Sequence, residues 1–275
     1  MGHPSERYIP GPAFTRCCDA LSEGGYRWSE MTDCKNGKLL SEIALPCGFL
    51  PPDSICGSII KWPAVNSARL LVDIMANKEA ADYRRIFSYL GKNLAELHSL
   101  TASEDLLQKR SVSRVEETEV YKNAFQYAAE RDVSVPVFTF GSKKHLIHGR
   151  FSTAMILPDE KAMVMASVDI GQGDPMFDIS QILSEIWEFY CSFSKSSDWQ
   201  REMGLTAKSF VNSYKRHSGY RLNIDALREM CRAKSATHVL ILAFLRKDIS
   251  IFHSHIARLQ LGESFFDYLN EPHCN

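Results

Sequence analysis

Two short segments of this 275-residue chain hold the residues whose types and spacing could do chemistry. The first is His148-Gly149-Arg150, at the end of the strand-like run His145-Leu146-Ile147. The second reads Val168-Asp169-Ile170-Gly171-Gln172-Gly173-Asp174-Pro175-Met176-Phe177-Asp178 and carries the carboxylates Asp169, Asp174 and Asp178. Phosphoryl transfer asks little covalent chemistry of a protein. It asks for carboxylates that hold Mg²⁺ ions on the phosphates and a group that orients the attacking hydroxyl. An arginine such as Arg150 pairs bidentately with phosphate oxygens through its planar fork. It cannot act as a general base, because an arginine side chain stays protonated in proteins.

These segments sit among elements that can be read from pattern. Residues 1 to 75 are rich in Gly, Pro and Cys and carry short β-like runs. Tyr26 to Met31 and Leu39 to Leu45 flank Lys35-Asn36-Gly37-Lys38, and Asn-Gly between extended runs predicts a hairpin. Ser58 to Trp62 reads as a further strand that Pro63 stops. Composition then changes. Asn77 to Leu100 has the apolar spacing of a helix, and Ser103-Glu104-Asp105 opens another that runs to about Arg131. Ala154 to Leu157 and Ala162 to Val168 lie either side of Pro158-Asp159-Glu160-Lys161 and predict a hairpin. From Asp178 onward the pattern is helical, over 178 to 194, 206 to 217, 223 to 246 and 248 to 270.

Composition sets bounds. Apolar residues make up 45% and charged residues 24%, ordinary values for a globular protein, and the formal charge of −1 draws the chain toward neither nucleic acid nor anionic lipid. No apolar run approaches the roughly 20 residues of a membrane span, and the first residues lack the pattern of a secretory signal. None of the eight cysteines forms a Cys-x-x-Cys pair, and Cys191 and Cys231 fall inside apolar helical patterns. They are expected as buried, reduced thiols of a cytoplasmic protein.

The two motifs, with Leu94-Ala95-Glu96-Leu97-His98-Ser99-Leu100 upstream, resemble the core of the aminoglycoside phosphotransferase and choline kinase-like superfamily. The resemblance covers roughly residues 80 to 195. There the first motif reads His-Gly-Asp with an Asn five residues after the Asp, and the second reads Ile-Asp-x-x-x-x-Gly-Asp-Pro-x-x-Asp. The resemblance implies an α+β, two-lobed protein-kinase-like fold. A small, reduced β-rich lobe would span residues 1 to 75, and a larger, mainly helical lobe with a central β-hairpin residues 76 to 275. It implies ATP and Mg²⁺ as cofactors, with Asp169 as the metal ligand. It makes His148 and Asp178 the residues that hold the loop, and matches Asp174 to the first Asp of Gly-Asp-Pro. Arg150 stands where the family has its catalytic Asp, and Met155 where it has the Asn. A thioether cannot replace an amide oxygen on a hard cation.

Arg150 has two readings. It clamps a phosphate, or it is the trace of a lost Asp, salt-bridged to Asp169, Asp174 or Asp178. If chemistry persists, Asp169 or Asp174 must take over the orienting role, or metal and proximity must suffice. The lysine that positions ATP in a kinase would be Lys61 or Lys38, with Lys61 preferred for its strand setting and Glu42 as an acidic partner. Ser142-Lys143-Lys144-His145 adds a basic cluster at the start of the loop. His253-Ser254-His255 points to different faces of a helix and predicts no metal site.

Two functions follow as expectations. One is ATP- and Mg²⁺-dependent phosphorylation of a hydroxyl, on a small molecule or a peptide Ser or Thr, with a partner protein such as a lyase. Kinase-like proteins of lanthipeptide and thioamide-peptide pathways are the group the altered motif brings to mind. The other is a pseudokinase that holds a peptide or activates a partner without transfer. Neither requires nucleic acid or a membrane.

Overall fold

The computed structural model describes residues 15–22, 24–31, 43–56, 59–66, 69–100, 119–138, 145–158, 162–167, 169–192 and 196–270. The predicted Asn36-Gly37 turn, Lys38, Glu42, Ser103 to Asp105 and Ser142 to Lys144 lie outside them.

The amino-terminal sheet has the order β1 (Thr15–Ala20), β2 (Tyr26–Met31), β5 (Ile59–Lys61) and β4 (Ser54–Cys56), all antiparallel. Both edges of β2 are taken, by β1 across its whole length and by β5 over Ser29 to Met31. The other half of the expected hairpin, Leu39 to Leu45, lies outside the described residues as far as Glu42, and Ile43 to Leu45 form no strand. The strand at Ile59–Lys61 forms as expected, with Ile60 buried between exposed neighbours.

The strand β3 (Phe49–Leu50) leaves that sheet and runs parallel to β8 (Met163–Met165), which pairs antiparallel with β7 (Ile156–Leu157). The hairpin expected around Pro158 is thus present, and β3 ties it to the amino-terminal segment. The strand β6 (His145–Ile147) pairs with β9 (Gly171–Gly173), which brings the two chemically interesting segments side by side.

Helices supply the rest. The helix α1 (Leu71–Ala76) ends at Asn77, and Lys78 adopts a left-handed φ of 53°. The helix expected from Asn77 consequently starts later, as α2 (Tyr83–Ser99), where the Asp82 side chain accepts the Arg85 N–H at 3.2 Å. Its Ile86, Phe87, Leu90, Leu94 and Leu97 all face the core. Next come α3 (Glu119–Ala129), α4 (Met176–Ser192), α5 (Ser197–Ser218), α6 (Ile224–Arg246), α7 (Ser250–Leu261) and α8 (Asp267–Asn270). The Asn223 side chain caps α6 by accepting the N–H groups of Asp225 and Ala226. The continuous helix predicted over 248 to 270 is instead broken at Gly262. There the Gly262 carbonyl accepts the Trp187 indole N–H at 3.0 Å, and a Cβ would lie 2.2 Å from the Cys191 sulfur.

One apolar core runs from Trp28, Ile60 and Trp62 of the amino-terminal sheet through Phe87, Leu94 and Phe151 to Ile182, Trp187 and Phe266. A smaller cluster joins Ala124 and Ala128 of α3 to Val239, Leu240 and Phe252. The floor of the molecule is the α2–α5 pair, which meets so closely at Gly91 that a Cβ there would lie 2.4 Å from the Phe210 carbonyl oxygen. Gly91→Ala gains about 1 kcal/mol of helix propensity. It must also push two backbones apart, and the expected net effect is a loss of about 1–3 kcal/mol, read from denaturant melts of the variant.

Candidate functional site

The site is built on a buried carboxylate. Asp178 lies in the first turn of α4 and is fully buried. Its Oδ2 accepts the backbone N–H of His148 at 2.6 Å, and its Oδ1 accepts that of Gly149 at 2.9 Å. The Nε2 of His98, in the last turn of α2, donates to the same carboxylate at 3.1 Å, and the Nδ1 of His98 accepts the Tyr214 hydroxyl at 2.9 Å. Burial alone would raise the pKa of Asp178. The hydrogen bond from the His98 imidazole and the backbone N–H of His148 outweigh it and hold the carboxyl below its usual range. The Tyr214 phenol is pushed upward by its own burial, so it stays a neutral donor.

His148 is buried beneath the loop. Its Nε2 donates to the Met165 carbonyl at 3.0 Å, and its Nδ1 accepts the Arg150 N–H at 3.3 Å. Burial lowers its pKa, which keeps the ring neutral and suits that pairing. Gly149 adopts a φ of 78°, and a Cβ at that position would sit 2.2 Å from the Asp169 carbonyl oxygen. Glycine is therefore required twice over, for the left-handed turn and for the close approach of the two segments.

That approach sets Arg150 on Asp169. The guanidinium Nε lies 3.1 Å from Oδ2, with 13% of the arginine side chain exposed and 31% of the aspartate side chain. Of the carboxylates weighed as partners for Arg150, Asp169 is the one in ion-pair contact. The Ser167 hydroxyl also donates to Asp169 Oδ2 at 3.3 Å and accepts the Asp169 N–H at 3.0 Å. Asp174 is turned to another task. Its Oδ1 accepts the Met176 N–H at 3.0 Å and caps α4, with Pro175 suited to the first turn.

The residues do not fit a divalent magnesium ion. Such an ion needs near-octahedral oxygen ligands at about 2.0–2.1 Å. Asp169 Oδ2 is held by a guanidinium and a hydroxyl, and Asp174 Oδ1 by a backbone N–H. Met155 presents a fully buried thioether where an oxygen is wanted. Among the described residues no three His, Cys, Asp or Glu side chains converge as metal ligands. His253 is exposed while His255 is buried against Ser235 and Arg258, so that pair diverges as predicted. Lys61 is exposed on β5 and makes no ion pair with a described carboxylate.

Several residues of the site leave no mark in the sequence. Glu185, one face of α4 along from Asp178, accepts both the N–H and the hydroxyl of Thr153 at 2.7 Å and a Gln181 amide N–H at 3.2 Å. It fixes the turn Thr153–Met155 that follows Arg150. Burial pushes its pKa up to about 7 against the opposing hydrogen bonds. Glu185 sits inside an apolar helical stripe, and Tyr214 lies far along the chain from its partner His98, so neither is signalled. His98 was signalled only as part of a Leu-His segment.

No protein-family model matches the chain, and no curated protein does. Solved structures do match. A macrolide 2'-phosphotransferase from Brachybacterium faecium superposes with a TM-score of 0.52 at 15% identity, covering 92% of this chain and 90% of that one. A glucosamine kinase in complex with glucosamine, ADP and inorganic phosphate gives 0.54 at 12% identity, over 94% and 84%. The gentamicin complex of APH(2'')-IIa gives 0.50 at 12% identity, over 88% and 89%. The molecule thus has the two-lobed α+β, kinase-like fold of these phosphotransferases, in divergent form. No helix among the described residues is long and apolar enough to cross a membrane.

Two measurements probe the site's construction. Asp178→Ala strands two backbone donors and an imidazole in the interior and should cost about 3–5 kcal/mol, read by equilibrium unfolding. Glu185 titrates near 7 folded against about 4.3 unfolded, so its stabilising contribution is whole below about 4.3 and fades as pH rises through about 7. Glu185→Gln, the isostere of the protonated form, should therefore gain in Tm over the parent as pH is raised from about 5 to about 8.

Proposed function

We propose that this protein is a kinase-fold module that binds a nucleoside phosphate but does not transfer phosphate from it. Such a module would serve by holding a peptide or engaging a partner protein, the pseudokinase reading. One observation carries it: Arg150, which stands where the resembled motif has its catalytic Asp, lies 3.1 Å from Asp169. The group that would orient a hydroxyl is replaced by a cation that cannot accept a proton. The carboxylate that would serve the phosphates through a metal is paired with that cation. Met155 removes the third position. The remaining machinery, Asp178 with His98, His148 and Gly149, holds the loop and needs no chemistry to justify it. Nucleotide enters because a structure of this fold is seen with ADP and inorganic phosphate. A cytoplasmic setting, where nucleotide is abundant, goes with this function.

The second function weighed from the sequence is transfer to a hydroxyl of a small molecule or a peptide. It draws support from the partial exposure of Asp169 and from the preserved turn at Gly149. In that case Asp169 would have to leave Arg150 during turnover and orient the hydroxyl itself. The geometry favours the non-catalytic function, because the ion pair would have to open at each cycle.

The two are separated by following ADP binding and ATP consumption on the same preparation. The pseudokinase function predicts that ADP raises Tm, since a ligand that binds only the native state stabilises it. It also predicts no ADP release from ATP above background when peptide or aminosugar acceptors are supplied. Turnover that disappears in Asp169→Ala while folding persists would instead establish transfer.

A further inference from the structure

The misfit between these residues and a divalent ion has a positive side. We infer that the guanidinium of Arg150 stands in for the cation, so that the site binds the polyphosphate of a nucleoside diphosphate without metal. This rests on the nucleotide-binding function proposed above.

An unpaired Asp169 carboxylate beside a phosphate binding position would repel the ligand, which is why a phosphate site with acidic residues ordinarily needs a metal between them. Here a permanent positive charge lies 3.1 Å from that carboxylate and removes the repulsion. The charge is also fixed in place. The Arg150 N–H is held by His148 Nδ1, the preceding Gly149 N–H by Asp178, and the side chain by Asp169. Asp169 in turn is oriented by the Ser167 hydroxyl through both its N–H and its Oδ2. An arginine held this way loses little side-chain entropy when it meets an anion, and its planar fork matches phosphate oxygens. Beside Arg150 the His148 ring is kept neutral by burial, and the ionised Asp178 has its oxygens engaged by the His148 and Gly149 N–H groups and by His98. Asp169 thus becomes a positioning residue for Arg150 rather than a metal ligand. A guanidinium is charged at every pH at which the protein is folded, so this device needs neither a metal nor a proton to switch it on.

The test is calorimetric titration of the full chain with ADP, once with EDTA and once with Mg²⁺. Metal-independent binding predicts affinities equal within about twofold in the two buffers. Arg150→Gln should weaken the binding seen with EDTA roughly 10- to 100-fold, as loss of a charged hydrogen-bonding partner does. Arg150→Lys should recover part of it. An unchanged Tm for each variant separates these effects from misfolding. The double variant Arg150→Asp, Met155→Asn should bind ADP only when Mg²⁺ is present. Binding by the parent that requires Mg²⁺, or binding with EDTA that survives Arg150→Gln, overturns the inference and leaves the nucleotide-binding function standing. Absence of ADP binding in both buffers removes that function, and the inference with it.

Discussion

The carboxylate of Asp178 is the point on which the site depends. A lone ionised group in an apolar interior is costly, and this one is tolerated because each of its oxygens is used. One end of the arrangement is the first turn of α4, another the last turn of α2 through His98, and the third the loop at His148 and Gly149. Tyr214 extends it into α5. Three helices and a loop are therefore registered against one another by a single side chain. The loop's two exposed-facing consequences, the left-handed turn at Gly149 and the placement of Arg150, follow from that registration. Hydrogen bonds of this kind in a low-dielectric setting reinforce one another, and each also becomes harder to lose alone.

Much of this frame can be read from the amino acids. The hairpin at Ile156–Leu157 and Met163–Met165 was announced by apolar runs around Pro158, and the helices near 178 and 223 by their periodicity and caps. Of the two residues the motif singles out beside Arg150, Asp178 accepts the His148 and Gly149 N–H groups, and the His148 ring accepts the Arg150 N–H. Arg150 was left with a choice of carboxylates, and only the pairing of β6 with β9 settles it on Asp169. What stayed hidden shares one cause. Tyr214 and Glu185 act through contacts made when distant segments pack, and each sits in a pattern that means only helix when read locally.

Charge balance organises this part of the loop. Arg150 stands where the resembled motif carries an aspartate, a difference of two charge units, and it is paired with Asp169. Met155, where that motif carries an amide, is buried in the apolar core. The substitutions are thus mutually consistent, as expected when each local choice supports the same arrangement. A site left with a bare carboxylate cluster and no ligand for the metal would have been the frustrated alternative.

The small apolar cluster formed by α3, α6 and α7 carries a different implication. Ala124 and Ala128 seat α3 on Val239, Leu240 and Ala243, and among the partly buried residues Ile256 borders both this cluster and the main core. Ala124 and Ala128 are the fully buried residues of α3, with Phe125 and Tyr127 packing from its partly exposed flank, so α3 buries less apolar area than the helices that carry Asp178 and His98. Native-state fluctuations should then come in tiers. The α3 layer can detach and re-dock as a low-energy excursion, while amide protons around His148 and Gly149 exchange only when the whole chain unravels. The loop at His148 and Gly149 would be kinetically insulated from the most restless part of its own molecule.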